Sequence, residues 1–178
     1  MFGCINICSL TNKVDDLLQV RTDNSIDVVL LTETWHDKNS ACFGRLRSEG
    51  FQVVDRPRPR LRDDVLSTNH GGIAVVAVSG VRLLQLDLGI TPTTFEHVCV
   101  RMTTATSSSS CVVLLVYRPG SEAVTPAFFD EFADALDRVA TFVDPVYVAG
   151  DLNVRLDRFD DVQCVSSKSL PITVSPAE

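Results

Sequence analysis

The sequence predicts one α/β domain. Apolar runs of strand length recur along the chain, and two segments between them carry apolar residues at helical spacing. Several runs end in a carboxylate, an amide or a phenol, as expected where a ligand site lies at the carboxyl ends of strands. The 178 residues, 45% of them hydrophobic, suffice for one domain with a sizeable core.

Eight strands are predicted from these runs. Residues 26–31, 73–78 and 111–116 form continuous apolar runs, which are typical of strands buried on both faces. Residues 82–88 alternate leucine with polar residues, which predicts a half-exposed strand. The short apolar run 146–149 is long enough for one buried strand, with Gly150 ending it. The other predicted strands cover residues 3–10, 51–55 and 95–102.

The clearest helical signal begins at Thr125, which suits an N-cap, with Pro126 at the first helical position. The predicted apolar face of this helix consists of Phe128, Phe129, Phe132, Leu136 and Val139. A shorter amphipathic helix is predicted over residues 12–19. The mixed polar segment 37–50 is predicted to hold a loop with one short helix.

Composition places the end of the domain near residue 162. The Ser/Thr-rich segment 103–110 is predicted to be a hairpin connector. Residues 163–178 contain serine and proline and lack any apolar periodicity, so they are predicted to form an irregular tail. The predicted domain is therefore 1–162.

Cysteine usage and hydropathy bear on the compartment. The six cysteines form no C-x-x-C pair, and their spacing suits neither a zinc site nor a disulfide framework, so we interpret them as reduced. Reduced thiols favour an intracellular location. No apolar run approaches the ~18 residues of a membrane span, and no secretory signal is evident. We therefore expect no membrane partner.

Basic residues are concentrated in one segment of an acidic chain. The net charge of −7 argues mildly against a nucleic-acid partner, but six arginines lie within residues 45–62. Arg56, Arg58 and Arg60 alternate with prolines, which exclude a helix interior and predict an exposed basic loop. One interpretation of this loop is a contact with phosphates of DNA; the other is a solvated linker.

Polar residues that follow predicted strands are the candidate site residues. Asp151 and Asn153 follow the run 146–149, and continued strand geometry would point both side chains to one side. Such a pair fits a metal or phosphate site, although an Asx-turn is the alternative. Glu33 closes the buried run 26–31 in the same way. Tyr117 follows 111–116, with Arg118 directly after it.

A further candidate lies in the first predicted strand. Asn6 sits in its interior, where asparagine is a poor strand residue, so a turn or a functional role is needed to explain it. It joins the other candidates if the first strand lies beside the second. Strands that repeatedly finish in polar groups predict a shared cleft.

Together these stretches resemble the endonuclease/exonuclease/phosphatase superfamily, and most closely the apurinic-type endonuclease domain of LINE-type (non-LTR) retrotransposons. The resemblance covers roughly residues 3–162, and each motif is weak alone but specific as an ordered set. The motifs are, in order, the segments 6–17, 27–35, Gly71-Gly72-Ile73-Ala74-Val75, Tyr117-Arg118-Pro119, Phe128-Phe129-Asp130-Glu131-Phe132 and Gly150-Asp151-Leu152-Asn153.

The resemblance implies a four-layered α/β sandwich of two packed sheets with flanking helices, of the exonuclease III and DNase I type. It implies a divalent metal, usually magnesium and with manganese as an alternative, held by Glu33 and Asn6. Tyr117 and Asn153 match residues that hold the scissile phosphate, and Asp151 matches the aspartate that orients or deprotonates the attacking water. The implied substrate is DNA, nicked to prime reverse transcription.

The same resemblance implies a nuclear parent element that also carries a reverse transcriptase. Two other functions remain open: another branch of the superfamily, such as a phosphatase or inositol-phosphate phosphatase, and a non-catalytic remnant or binding fragment. The motifs Thr-Glu-Thr-Trp and Tyr-Arg-Pro favour the retroelement branch over the phosphatases.

The chain departs from the family pattern at its end. The family closes with a Ser-Asp-His motif, and no Ser-Asp-His occurs here. His36 lies near Glu33 and is a candidate phosphate contact, although a rim histidine without a catalytic role is the alternative. We therefore interpret the domain as truncated and expect little activity from this chain alone. An uncovered sheet face is expected to favour self-association.

Overall fold

The computed structural model describes residues 1–59, 70–104 and 109–154. Eight strands and three helices occupy these residues. The strands are β1 (Phe2–Asn6), β2 (Val28–Thr32), β3 (Gln52–Arg56), β4 (Ile73–Ala77), β5 (Val81–Leu86), β6 (Glu96–Thr104), β7 (Ser110–Tyr117) and β8 (Val146–Asp151). The helices are α1 (Val14–Asp23), α2 (Ala41–Ser48) and α3 (Pro126–Val139).

The strands form two four-stranded sheets with the orders β1-β2-β4-β3 and β5-β6-β7-β8. Each sheet is mixed: β1 pairs with β2 in parallel, and β7 pairs with β8 in parallel, whereas the other pairs are antiparallel. Parallel pairing brings the carboxyl ends of β1 and β2 to one edge, and it does the same for β7 and β8.

Three apolar clusters show that the sheets and helices are stacked in four layers. One cluster joins α1 and α2 to the outer face of the first sheet, through residues such as Leu17, Leu46 and Leu31. The second fills the space between the sheets, and the third joins α3 to the second sheet. This confirms the predicted α/β sandwich of two packed sheets with flanking helices.

Burial on both faces explains the continuous apolar runs. In β2, Val29 and Leu31 contact the helices, whereas Val28 and Leu30 lie between the sheets. All five residues of β2 and all five of β4 are buried. The predicted half-exposed strand is also confirmed in β5, although Leu84 lies on its exposed side, at 51% exposure.

The helix predictions are confirmed with shifted bounds. Thr125 caps α3 through its side-chain oxygen, which accepts the Phe128 backbone N–H at 3.4 Å, and Pro126 is the first helical residue. Helix α1 starts two residues later than predicted and continues to Asp23. Helix α2 occupies part of the predicted 37–50 segment.

Four sequence predictions are corrected. Strand β1 ends at Asn6, so Asn6 does not lie in the interior of a strand over residues 3–10. Strand β8 is not buried: Tyr147 and Val148 are 55% and 44% exposed, because the described sheet ends at this strand. Gly150 does not end the strand, which continues to Asp151. The predicted connector is shorter than 103–110, since residues 103–104 belong to β6 and residue 110 to β7; residues 105–108 are outside the described part.

Other predictions concern cysteines, membranes and the tail. The five cysteines in the described residues are free thiols. None of the helices in these ranges has the length and hydropathy needed to cross a membrane. The domain boundary near residue 162 and the tail 163–178 lie outside the described residues and stay predictions.

Candidate active site

Four strand ends converge on one polar cluster. Asn6 ends β1, Glu33 follows the last residue of β2, Tyr117 ends β7 and Asp151 ends β8. Asn6 is in register with Thr32, and Tyr117 is in register with Asp151. The carboxyl ends of both parallel pairs therefore meet across the gap between the sheets.

Asn6 joins the carboxylates of the two sheets. Its amide Nδ2 donates to Glu33 Oε1 at 2.9 Å and to Asp151 Oδ2 at 3.0 Å. The Tyr117 hydroxyl also donates to Glu33 Oε1, at 2.9 Å. Residues separated by as many as 145 positions thus share one hydrogen-bond network. We name Asn6, Glu33, Tyr117 and Asp151 the carboxylate cluster.

The network alters the protonation of two of its members. Burial alone would raise the pKa of Glu33, but hydrogen bonds from Asn6, Tyr117 and Cys8 hold it below its ordinary value. Burial, reinforced by the adjacent Glu33 carboxylate, raises the pKa of Tyr117. At neutral pH the cluster therefore presents an ionised Glu33 and a protonated phenol.

The loop that carries Glu33 has a strained backbone and is held by two backbone hydrogen bonds. Glu33 and Trp35 have φ of 54° and 50°, a left-handed conformation that is unfavourable for these side chains. The Thr34 and Trp35 N–H groups donate to the Gly72 and Gly71 carbonyls at 3.0 and 2.7 Å. These bonds fix the direction of Glu33.

A second loop, between β1 and α1, contributes Cys8 to the cluster. Its thiol lies 3.5 Å from Glu33 Oε2 and 3.3 Å from Asn6 Oδ1. Lys13 supports the loop by donating to the Ile7 and Cys8 carbonyls at 2.6 and 3.0 Å. Sequence reasoning missed both residues; the only signal was their place within the motif-bearing segment 6–17.

Asp151 and Asn153 do not point to the same side. The strand stops at Asp151 and Asn153 has φ of 49°, so strand geometry does not continue between them. Asp151 Oδ2 meets Asn6, whereas Asn153 Nδ2 donates to the Arg118 carbonyl at 2.8 Å. Asp151 Oδ1 also accepts the Asn153 N–H at 3.2 Å, the Asx-type contact that was the alternative.

Arg118 lies inside the protein, which does not favour the predicted contact with phosphate. Its side chain is buried, and the guanidinium donates to the carbonyls of Leu152, Asn153 and Glu122. Three of the five guanidinium N–H groups are thereby bound to backbone carbonyls. Arg118 instead fixes the backbone around Asn153.

His36 is likewise not at the rim of the cleft. It is 1% exposed, with Nδ1 at 2.5 Å from Thr34 Oγ1 and Nε2 at 3.2 Å from Asp55 Oδ2. Its ring also packs edge-on against Phe43. Burial beneath the Glu33 loop explains why it cannot reach a phosphate; it supports the loop from within.

The arginine segment crosses from the first sheet to the second. Arg56 ends β3, and its guanidinium donates to the His97 carbonyl on β6 at 2.9 Å. Arg58 pairs with Glu96 at 2.5 Å and lies 5.7 Å from the centre of the Tyr117 ring. This places Arg58 beside the carboxylate cluster; Arg60 is outside the described residues.

Comparison with known proteins identifies the fold family. The model of the Endonuclease/Exonuclease/phosphatase family matches residues 4–173. The chain belongs to this family. The family contains hydrolytic nucleases and phosphatases, and its nucleases generally use divalent metal ions.

Solved structures share the fold at low identity. The human Nocturnin catalytic domain with bound sulfate anion is 17% identical, with a TM-score of 0.63 over 93% of this chain and 67% of that chain. TDP2 from D. rerio complexed with single strand DNA product is 13% identical, with a TM-score of 0.60 over 92% of this chain and 63% of that chain.

A third structure is a single-residue variant of the 3' phosphatase NExo from Neisseria, bound to product DNA hairpin. It is 20% identical, with a TM-score of 0.56 over 85% of this chain and 56% of that chain. The chain thus spans between 56% and 67% of the length of these three structures. No curated protein matches the sequence significantly.

The donor chemistry of the cluster fits a divalent ion of the kind the family uses. Within the described ranges, no group of three or more His, Cys, Asp and Glu residues is arranged to hold a metal. Magnesium, however, needs only one or two carboxylates and keeps several waters. Glu33 Oε1 already accepts hydrogen bonds from Asn6 and Tyr117, so Oε2, which lies 3.5 Å from the Cys8 thiol, is the oxygen better suited to a metal.

Proposed function

We propose that this chain is the endonuclease domain of a LINE-type retrotransposon, a magnesium-dependent phosphodiesterase that nicks DNA. The observation that carries this proposal is the junction made by Asn6, whose single amide binds carboxylates at the ends of both sheets. Family membership supplies the class of chemistry. The order of the motifs and their residues in segments 6–17, 27–35 and 117–119 favour the retroelement branch.

Glu33 and Asn6 would hold the metal, which polarises the phosphoryl oxygen and stabilises the leaving alkoxide when bound. Asp151 orients the attacking water, and the carboxylate is held for this by the Asn6 amide. The Tyr117 hydroxyl, kept protonated, donates to a phosphate oxygen once it leaves Glu33. Asn153 helps to hold the phosphate from the turn that Arg118 fixes.

DNA is the proposed substrate. Two neighbours of the fold are complexed with DNA products. In a chain of net charge −7, Arg58 supplies positive charge next to the cluster, and Arg56 lies against the neighbouring strand β6. The parent element, which also carries a reverse transcriptase, would act in the nucleus, and manganese would serve as the alternative metal.

The metal site is tested by isothermal titration calorimetry of the chain with Mn²⁺ or Mg²⁺. Glu33→Gln removes one charge and leaves the side-chain shape, and we expect it to weaken metal binding at least about tenfold. Glu49→Gln, on the exposed ion pair with Arg45, is the control with the same charge change. Equal affinity in wild type and Glu33→Gln would exclude the proposed site, leaving a non-catalytic fragment.

The reaction is tested with supercoiled plasmid and with phospho-sugar substrates in magnesium. Because the chain contains no Ser-Asp-His, we expect nicking that is slow and abolished by Glu33→Ala, with no phosphate release from the sugars. Phosphate release without nicking would favour the phosphatase branch. Rapid nicking would show that this chain needs no Ser-Asp-His histidine.

A further inference from the structure

The pair formed by Arg58 and Glu96 is built like an occupied anion site. Glu96 Oε1 accepts Arg58 Nε at 2.5 Å, and Glu96 Oε2 accepts the Gly72 backbone N–H at 2.7 Å. A guanidinium and a backbone N–H directed at two oxygens of one group also form the donor pattern that binds phosphate. The side chains of Arg58 and Glu96 are 30% and 13% exposed.

The backbone leaves space for this pair and connects it to the carboxylate cluster. Gly71 has φ of +129°, and a Cβ there would lie 2.4 Å from the Arg58 guanidinium and 2.6 Å from Glu96 Oε1. Gly71 and Gly72 are also the residues whose carbonyls hold the Glu33 loop. The anion position and Glu33 therefore share one backbone support.

The surroundings of Arg58 leave open space for a phosphate and restrict the backbone that carries the arginine. The segment Arg56–Pro59 lines two open cavities of about 920 and 330 Å³, and Glu96 lines the smaller one. Pro57 and Pro59 fix backbone φ on both sides of Arg58, which lowers the entropy lost when it binds a ligand. Arg58 lies over the ring of Tyr117, whose hydroxyl contacts Glu33.

We propose that Arg58 and Glu96 form a latch: the Glu96 carboxylate occupies an anion position, made by Arg58 and the Gly72 N–H, that a DNA backbone phosphate takes on binding. This inference rests on the proposed function and adds a substrate-positioning pair to it. In the free protein Arg58 is paired with Glu96; in the complex the arginine holds a phosphate beside the scissile one. Burial raises the pKa of Glu96 in spite of Arg58, so the carboxylate is poorly solvated where it lies.

The chain contains a matched pair as a control. On the same sheet Arg101 Nε binds Asp144 Oδ2 at 3.0 Å, and the Arg101 guanidinium lies 5.8 Å from the Phe142 ring. Asp144 lies shortly before the first residue of β8, whereas Asp151 is the last residue of that strand. The two carboxylates are therefore at opposite ends of β8. Asp144→Asn therefore removes the charge of a carboxylate paired with an arginine, as Glu96→Gln does, but away from the carboxylate cluster.

The test is binding of a labelled duplex oligonucleotide by fluorescence anisotropy, between about 50 and 200 mM salt. We expect Glu96→Gln to bind about three- to tenfold more tightly than wild type, and Asp144→Asn to change affinity less than about twofold. Arg58→Ala should lower the slope of log K against log salt by about 0.9, the value for one lost phosphate contact. In the Arg58→Ala background, Glu96→Gln should have no further effect.

Two results would overturn the latch: an equal gain for Glu96→Gln and Asp144→Asn, or a gain that persists without Arg58, since either shows a general charge effect. If Glu96→Gln does not fold, Glu96→Asp keeps the charge, shortens the side chain and should still tighten binding about twofold; no gain again overturns it. If the chain binds metal and DNA but Glu96→Gln does not change the DNA affinity, the latch is wrong and the proposed function is unaffected. A chain that binds neither fails the proposed function as well.

Discussion

The two ends of the sheet sandwich are built differently. At the end that carries Asn6, Glu33, Tyr117 and Asp151, polar side chains bind one another across the sheets. At the other end, the ring of Phe2 stacks on Tyr147 at 6.2 Å, beside a largely apolar cavity of about 620 Å³. The same strands run between the two ends, and the ends differ in whether their residues are polar or apolar.

Backbone strain follows the same division. Six non-glycine residues of the described chain have positive φ, and five of them lie at the polar end: Cys8, Ser9, Glu33, Trp35 and Asn153. Ser25, the sixth, lies before β2 at the other end. Strained conformations persist only where surrounding contacts determine them, and they accumulate at functional sites. At the polar end, the strained backbone therefore lowers stability while it fixes the positions of the side chains.

The largest test of this comparison uses two glycines. Gly72→Ala should lower the free energy of unfolding by about 3 kcal/mol, because φ is +83° and the new Cβ would lie 2.7 Å from Thr34 Oγ1. Gly80→Ala, at the other end, has nothing within 4 Å of the new Cβ and should change it by less than about 0.5 kcal/mol. Urea unfolding measures both; equal losses would show that the ends tolerate change alike.

A second test uses pH. Burial, with a smaller effect of Arg56, lowers the pKa of His97 from 6.5 to about 4. The unfolded chain therefore binds more protons than the folded chain between these values, and stability must fall as pH falls through this window. From pH 7.5 to 5, we expect a loss of about 2 kcal/mol that His97→Gln abolishes. An unchanged pH slope in His97→Gln would exclude this origin.

A third test compares two buried threonines. Thr34 Oγ1 is bonded to His36, whereas the buried Thr32 Oγ1 has no hydrogen-bond partner in the described structure. Thr34→Val should cost about 1.5 kcal/mol, since it removes the hydrogen bond to a buried imidazole, and Thr32→Val should be neutral or stabilising. Thermal melting of the two variants gives the order. The reverse order would remove the support assigned to His36.

The smallest expected effect on stability is at the apolar end. Tyr147→Ser should lower the free energy of unfolding by about 1 kcal/mol, because the ring is 55% exposed but its stacking on Phe2 is lost. The described first sheet is covered by helices on one face and by the second sheet on the other, so the expected uncovered face is not found there. If self-association uses the exposed strand β8 instead, Tyr147→Ser should reduce the association measured by sedimentation, whereas Val20→Ser on the exposed side of α1 should not. A wild-type chain that stays monomeric at every concentration would contradict the association prediction.

Much of the fold could be read from local patterns. Continuous apolar runs predicted strands such as β2 and β7 because both faces of these strands are covered, and Thr125-Pro126 predicted the start of α3 because capping is local. Family resemblance supplied the roles proposed for Glu33 and Asp151, which single residues could not. Local patterns failed at β8, since exposure of an edge strand depends on what lies beside it.

The sequence by itself determined where most strands lie along the chain and which helical faces are apolar, because these depend on neighbours in the chain. Only the tertiary structure decided where the polar side chains go. Parallel pairing brought Asn6 beside Glu33, and packing of the two sheets brought both to Asp151. Arg118 and His36 are buried, and 38 positions separate Arg58 from Glu96. A side chain's partner is set by contacts between distant segments, and these exist only when both sheets have packed.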